Sequence, residues 1–310
     1  MSFAKTHWLK FALNLKGSII PAVKEHVLFS MIFALLVTLT YERGFHAFHQ
    51  PALAGLIPGI VLGLLLVFRT NTANDRFWEG CKLVGKLAVD CRNLTRQILV
   101  NIPEKTLEDT QEKLANMRLV YGYYYAVILH LRKEGVDEHL KEIISTKQYA
   151  ELKDAIHKPL KIVTWIGEYI NKLYERNYID SIQRVEFNQL LNQMIQCVGA
   201  CDRILLAPLP KAYTIHLRHL LILYCFAVPF QLVKDLHWWT IPTVGVIAFA
   251  LFGIEAIGLE IENPFGHDAN DIALEKFYNA VKANVEMLVE SRSSEYSIEE
   301  LPILQTSLDK

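Results

Sequence analysis

The sequence predicts an all-α membrane protein: four membrane-spanning helices joined to a large cytosolic helical bundle. Three observations carry that prediction. Of the 310 residues, 52% are hydrophobic while the net charge is only −1, and a water-soluble chain of this length is ordinarily more polar. Charge is also segregated, with none in residues 51–68 and a dense mixture of Lys, Glu and Asp over residues 102–158. Finally, short alternating runs of the kind that make strands are nearly absent.

Residues 1–24 mix Lys with aromatics in "MSFAKTHWLKFALNLKGS". No small-residue cleavage site follows a short apolar run, so the stretch reads as an amphipathic segment lying at the inner membrane surface rather than a cleavable signal. Uncharged runs follow at Val27–Tyr41, Pro51–Phe68, Leu220–Val233 and Trp238–Ile254. A span takes about 20 residues, with roughly 17 as the lower end. The first and third runs fall short unless Lys24, Glu25, His219 or Lys234 snorkel or face protein. The expected organisation is spans one and two within 25–68, a cytosolic helical region over 69–215, spans three and four within 216–256, cytosolic helix over 257–292, and a flexible tail over 293–310.

Orientation follows from the flanking charge. Lys5, Lys10, Lys16 and Lys24 precede the first run, and Arg69, Arg76, Lys82, Lys86, Arg92 and Arg96 follow the second. The connections "ERGFHAFHQ" and "KDLH" carry few positive charges, so both termini and the middle section are expected in the cytoplasm of a multi-pass protein. Trp238 and Trp239 suit an interfacial belt. Within the middle section, "EKLANMRLVYGYYYAVILHLRKEG" has helical spacing and is expected to stop at Gly135. "FNQLLNQMIQCVGACDRIL" is a second amphipathic helix, and Pro208 and Pro210 mark the turn back to the membrane.

Cys81, Cys91, Cys197, Cys201 and Cys225 form no CxxC pair, which points to packing thiols rather than a disulfide framework. His216 and His219 are three apart, while His130, His139, His157 and His237 show no evident partner, so no metal centre is expected. There is no GxSxG, HExxH, Walker loop or dinucleotide fingerprint, which argues against an enzyme. No basic patch suggests nucleic acid. Glu255 is the least expected residue in the spans, and an intramembrane acid is expected to face a partner, here a basic or polar group near the inner membrane surface.

The second run does not stop at the membrane edge. "GIVLGLLLVFRTNTANDRFWEG" passes from lipid-like to aqueous composition with no break between Gly63 and Gly80. Ile60, Leu64 and Phe68 lie on one stripe because four residues advance about 400° around a helix. An apolar stripe alone reads as helical core. Its continuation into Arg69, Asn71, Asn74, Asp75 and Arg76 fits a helix that lines a pore and leaves the bilayer, with Asn71 and Asp75 as polar lining. Repeated about a symmetry axis, such a stripe becomes a constriction that gates by dewetting. Gly59 and Gly63 beside it would admit neighbouring helices.

"FRTNTANDRFWEG", "CDRILLAPLPKAYT" and "IENPFGHDANDIAL" resemble bestrophin motifs, in the order and with the membrane segments that family shows, over nearly the whole chain to about residue 290. The likeness is greater to the bacterial branch. It implies a homopentameric channel for small inorganic ions in a bacterial inner membrane, with four membrane helices per subunit and one pore on the five-fold axis. By the resemblance, Ile60, Leu64 and Phe68 form the apolar neck, and Ile182, in "YIDSIQRV", forms a lower constriction. Glu260, Glu262, Asp268 and Asp271 stand where animal bestrophins clasp calcium. His267, Ala269 and Asn270 interrupt them, and calcium takes six to eight oxygens, so no calcium or other cofactor is expected. The alternative for that stretch is a turn at Pro264–Phe265–Gly266 with Asp268 or Asn270 capping the next helix. Animal bestrophins pass anions. The likeness to the bacterial branch and the thinned acids lean toward monovalent cations, with chloride the alternative. A non-conducting membrane scaffold with a partner-binding bundle is the competing class, and a membrane-embedded enzyme the remaining one.

Overall fold

The computed structural model describes residues 17–44 and 55–299, except the side chains of Leu56 and residues 293–299. Most of the N-terminal amphipathic segment, most of the first tip and the end of the tail lie outside those residues. The described chain is helix, turn and loop, without a strand. Its α-helices are α1 (Ile20–Glu42), α2 (Leu56–Asn101), α3 (Leu107–Leu131), α4 (Glu138–Ile143), α5 (Thr146–Asp154), α6 (Lys158–Glu175), α7 (Ser181–Leu206), α8 (Lys211–Leu236), α9 (Thr240–Glu260) and α10 (Leu274–Glu299). They form two compact units. One takes the described residues of Met1–Trp78 with Ala207–Asp271, the other those of Glu79–Leu206 with Ile272–Lys310. The boundary expected at residue 69 falls in mid-helix, since α2 runs on to Asn101.

Among the described residues, three stretches are long and apolar enough to cross a membrane: Ile20–Glu42, Ile57–Asn101, which starts in the first unit and runs on into the other, and Lys211–Glu260. The last comprises α8 and α9, joined by a 3₁₀ turn at His237–Trp239. The two runs that looked short sit inside helices of 23 and 26 residues, because Lys24, Glu25, Arg218 and His219 are helical rather than flanking. Val23, Leu62, Leu66, Leu217, Leu221, Cys225, Ala248 and Phe252 make one core shared by α1, α2, α8 and α9, and Ala34, Val228 and Val244 make a second. Polar residues survive among them because Ser30 and Thr38 hydroxyls donate to the His26 and Ala34 carbonyls, which satisfies them without water. A Cβ at Gly245 would stand 2.9 Å from the Met31 sulfur, so α1 and α9 approach closely there. Pro210 starts α8 after the expected turn. At the far end, the exposed Trp238 and Trp239 flank the hairpin tip, where His237 Nδ1 lies 2.8 Å from Glu42 Oε1.

In the second unit, the helix ends are built from local side chains. Thr106 and Asp109 form a capping box on α3, as Ser145 and Gln148 do on α5, each satisfying two amides the helix leaves unpaired. Asp137 caps α4 and His157 Nδ1 caps α6. The buried Lys113 ammonium donates to the Leu99 and Ile102 carbonyls at 2.8 Å each and to Glu104 at 2.6 Å, closing the C-terminal end of α2. α3 ends at Leu131 rather than Gly135 because Lys133 adopts a left-handed φ of 59°. The five cysteines are free thiols and all but Cys81 are buried. Burial pushes the Cys91 and Cys197 thiols up, and that of Cys201 to about 12.

Candidate pore-lining site

The membrane half of α2 divides lengthwise into two faces. Leu62, Leu66, Arg69 and Ala73 are buried in their own subunit, whereas Ile60, Leu64 and Phe68 are 52%, 53% and 63% exposed. At about 100° per residue, the exposed three fall within a sector of about 80°, directly across the helix from the buried four. Asn71 and Asp75 fall within that same sector and are exposed too, so apolar and polar halves form one continuous uncovered stripe. With the exposed Ile57, Val61 and Val67 beside them, these large apolar side chains left bare on one helix require lipid, another subunit or a pore opposite them. Thr70 and Thr72 hydroxyls donate to the Leu66 and Phe68 carbonyls, which satisfies both hydroxyls within the helix. Gly59 is approached by the Tyr224 hydroxyl, 3.0 Å from where a Cβ would lie, while Gly63 has nothing of its own chain within 4 Å.

Opposite the stripe, a charge cluster fixes the helix. Arg69 is 1% exposed. Its Nη1 donates to Glu255 Oε1 at 2.9 Å, and its Nη2 lies 3.6 Å from Glu262 Oε2. Arg218 Nε donates to the same Glu255 oxygen at 3.0 Å. Arg76 Nη1 donates to the Ala207 carbonyl at 2.5 Å and its Nε to that of Glu262 at 3.4 Å. The Leu209 amide donates to Glu262 Oε1, and the Tyr213 hydroxyl to the Leu65 carbonyl. The three sequence motifs therefore converge: arginines come from the first, carbonyl, amide and phenol groups from the second, and an acid from the third. Glu255 meets the expected basic partner twice over. A guanidinium with so little solvent contact is held by opposite charge and hydrogen bonds or it is strongly destabilising.

Ile182 sits in the first turn of α7 and is 71% exposed, with Asp180 accepting from the Gln183 amide to cap that turn. The acids after α9 are engaged by the protein's own donors. Glu260 accepts from Asn270 Nδ2 at 2.9 Å, Glu262 is held as described, and Asp271 Oδ2 accepts from the Asp268 amide at 2.8 Å. Neither Asp268 nor Asn270 caps the following helix, contrary to expectation. α10 starts only at Leu274, because Asp271 folds back onto residue 268 and Asn270 reaches Glu260 and the Gly17 carbonyl.

The expectation for the histidines is also corrected. His237 meets Glu42, His139 Nε2 lies 2.6 Å from the Tyr278 hydroxyl, and His130 and His157 come together at Asp202. These partners are distant in sequence, and spacing along one helix could not reveal them. Arg69, Arg76 and Arg218 were missed as anchors of the site. The available signal was one acid inside an apolar run and arginines at the apolar edge of two others.

Comparison with known proteins gives this geometry its context. The chain is 47% identical over 93% of its length, and 94% of the relative's, to a protein from Nostoc named a voltage-dependent anion channel-forming protein. It is 43% identical to a Synechocystis protein of the same description, covering 94% and 96% of the two chains. Among solved structures, a bacterial bestrophin homolog from Klebsiella pneumoniae matches with a TM-score of 0.78 at 23% identity, covering 85% of this chain and 97% of the other. At that identity the likeness shows the fold. The family model described as bacterial/fungal bestrophin protein matches residues 1–287, and the chain belongs to that family.

Proposed function

We propose that this chain is a subunit of a homopentameric ion channel in the bacterial cell membrane, with four membrane helices per subunit and both termini cytoplasmic. The observation that carries this reading is the uncovered stripe Ile60–Leu64–Phe68, continued by Asn71 and Asp75, across the helix from a core-facing side anchored by Arg69. Around a five-fold axis the three apolar residues become a neck. A narrow apolar ring excludes water until it widens, and it carries no charge with which to sort ions. Ile182 is the second constriction. The family and the names of the relatives speak for a channel rather than an enzyme.

Small monovalent ions are the permeant class. Five Asp75 carboxylates below the neck would concentrate cations, the basis for a cation-leaning channel. The names of the relatives from Nostoc and Synechocystis, voltage-dependent anion channel-forming proteins, support the anion reading. Calcium has no part in opening, since Glu260 and Glu262 already bind Asn270, Arg69 and the Leu209 amide.

Current through planar bilayers holding the purified protein under a salt gradient tests all of this. Leu64→Ala and Phe68→Ala should raise conductance severalfold, and unchanged currents from folded variants would remove the neck from these residues. The sign of the reversal potential names the ion, and chelation of calcium should leave the current as it was. Folded pentamer with no current and an axis filled by side chains would be a scaffold.

A further inference from the structure

In the second unit, two imidazoles from different helices converge on one carboxylate. His130 stands in the last turn of α3, His157 is the N-cap residue of α6, and Asp202 lies near the end of α7. His130 Nε2 is 2.8 Å from Asp202 Oδ1 and His157 Nε2 is 3.6 Å from Asp202 Oδ2. One ligand atom from each residue lies within 4.8 Å of the others. The two rings are stacked with centroids 4.4 Å apart and tilted by 31°. All three side chains are half-buried, so the positions are fixed by packing yet remain open to solvent.

We infer that His130, His157 and Asp202 form a binding site for a divalent transition-metal ion of the zinc type. Two imidazole nitrogens and one carboxylate oxygen are a ligand set that such ions favour over magnesium or calcium, which prefer oxygen alone. Zinc–nitrogen bonds are about 2.0–2.1 Å, so an ion among atoms this close needs side-chain adjustment of an ångström or less at each ligand. A fourth position remains for water. The site would staple α3, α6 and α7 to one another, and α7 is the helix that carries Ile182.

Loading has a defined local cost. His157 Nδ1 accepts the Leu160 amide at 3.1 Å, so in the metal-free neutral ring the proton sits on Nε2. An ion on Nε2 needs a bare nitrogen there, so the Nε2 proton of the neutral His157 ring passes through solvent to Nδ1. A neutral His157 bound through Nε2 carries its proton on Nδ1 and can no longer accept from Leu160. The ion therefore trades the α6 cap for a cross-link between helices.

The test uses tag-free, full-length protein in detergent, stripped of metal and titrated with Zn(II) by calorimetry and with Co(II) by visible absorption. Wild type should take up one equivalent per subunit that His157→Asn and Asp202→Asn both lack, with a raised unfolding temperature and faster amide exchange at Leu160 on loading. His157→Asn keeps an N-cap side chain, so its metal-free fold should match wild type. Equal uptake by wild type and both folded variants would place the ion elsewhere and overturn the assignment, as would no uptake by wild type. Neither result bears on whether the protein conducts, so this inference and the channel reading fail separately.

Discussion

Phe68 and Arg69 are consecutive, yet one side chain is mostly bare and the other almost wholly enclosed. The enclosed one is held by Glu255 and Glu262, and this sets which way the bare one points. Glu255→Gln leaves the Arg69 guanidinium with far less compensation, and breaking a buried pair in this way costs about 3–5 kcal/mol. Thermal unfolding in detergent should show a large loss. Arg218→Gln removes a half-exposed partner of the same carboxylate and should change stability little, since exposed pairs contribute about 0–1 kcal/mol. Equal losses in the two variants would mean that Arg69 is not the principal partner of Glu255. In the second unit, burial keeps the Cys91, Cys197 and Cys201 thiols protonated at neutral pH. A maleimide should therefore label Cys81 before any of these three, because the thiolate is the reactive form.

At the scale of elements, each helix end depends on a particular donor or acceptor. Lys113→Met would leave the Leu99 and Ile102 carbonyls and the Glu104 carboxylate short of their buried ammonium. The expected loss is about 3 kcal/mol or more, read as a lower denaturation midpoint. Lys86 shows how pH enters. Its hydrogen bond to Asp90, at 2.7 Å, raises its pKa above the ordinary lysine value. A raised basic group contributes its full stabilisation below its unfolded pKa and loses it as pH climbs through the folded one. The alkaline limb of a stability profile should thus be shallower in Lys86→Met. Much of this level was legible beforehand. Spacing placed Ile60, Leu64 and Phe68 on one stripe, and Pro208 and Pro210 marked the start of α8. The partners of Glu255 were not legible, since Arg69 lies 186 residues away and composition says nothing about such closures. The same distance hid the meeting of His130, His157 and Asp202. The start of α10 was misplaced because Asp271 used its carboxylate on residue 268, a local choice that competes with capping.

For the whole molecule, the proposed channel is a pentamer, and light scattering of the detergent-solubilised protein should give five subunits. A monomer or dimer would leave the apolar stripe facing lipid and end the pore assignment. α2 is one helix of 46 residues, about 69 Å at roughly 1.5 Å per residue. This continuity has a consequence in time. No joint interrupts the helix near Phe68, so in the proposed channel, widening the neck by backbone movement means turning or shifting the whole helix. Motions of that size take microseconds to milliseconds or longer, whereas exposed side chains flip in picoseconds to nanoseconds. Single-channel records should accordingly show discrete, long-lived openings; unresolved fast flicker would make the Phe68 side chain alone the moving part.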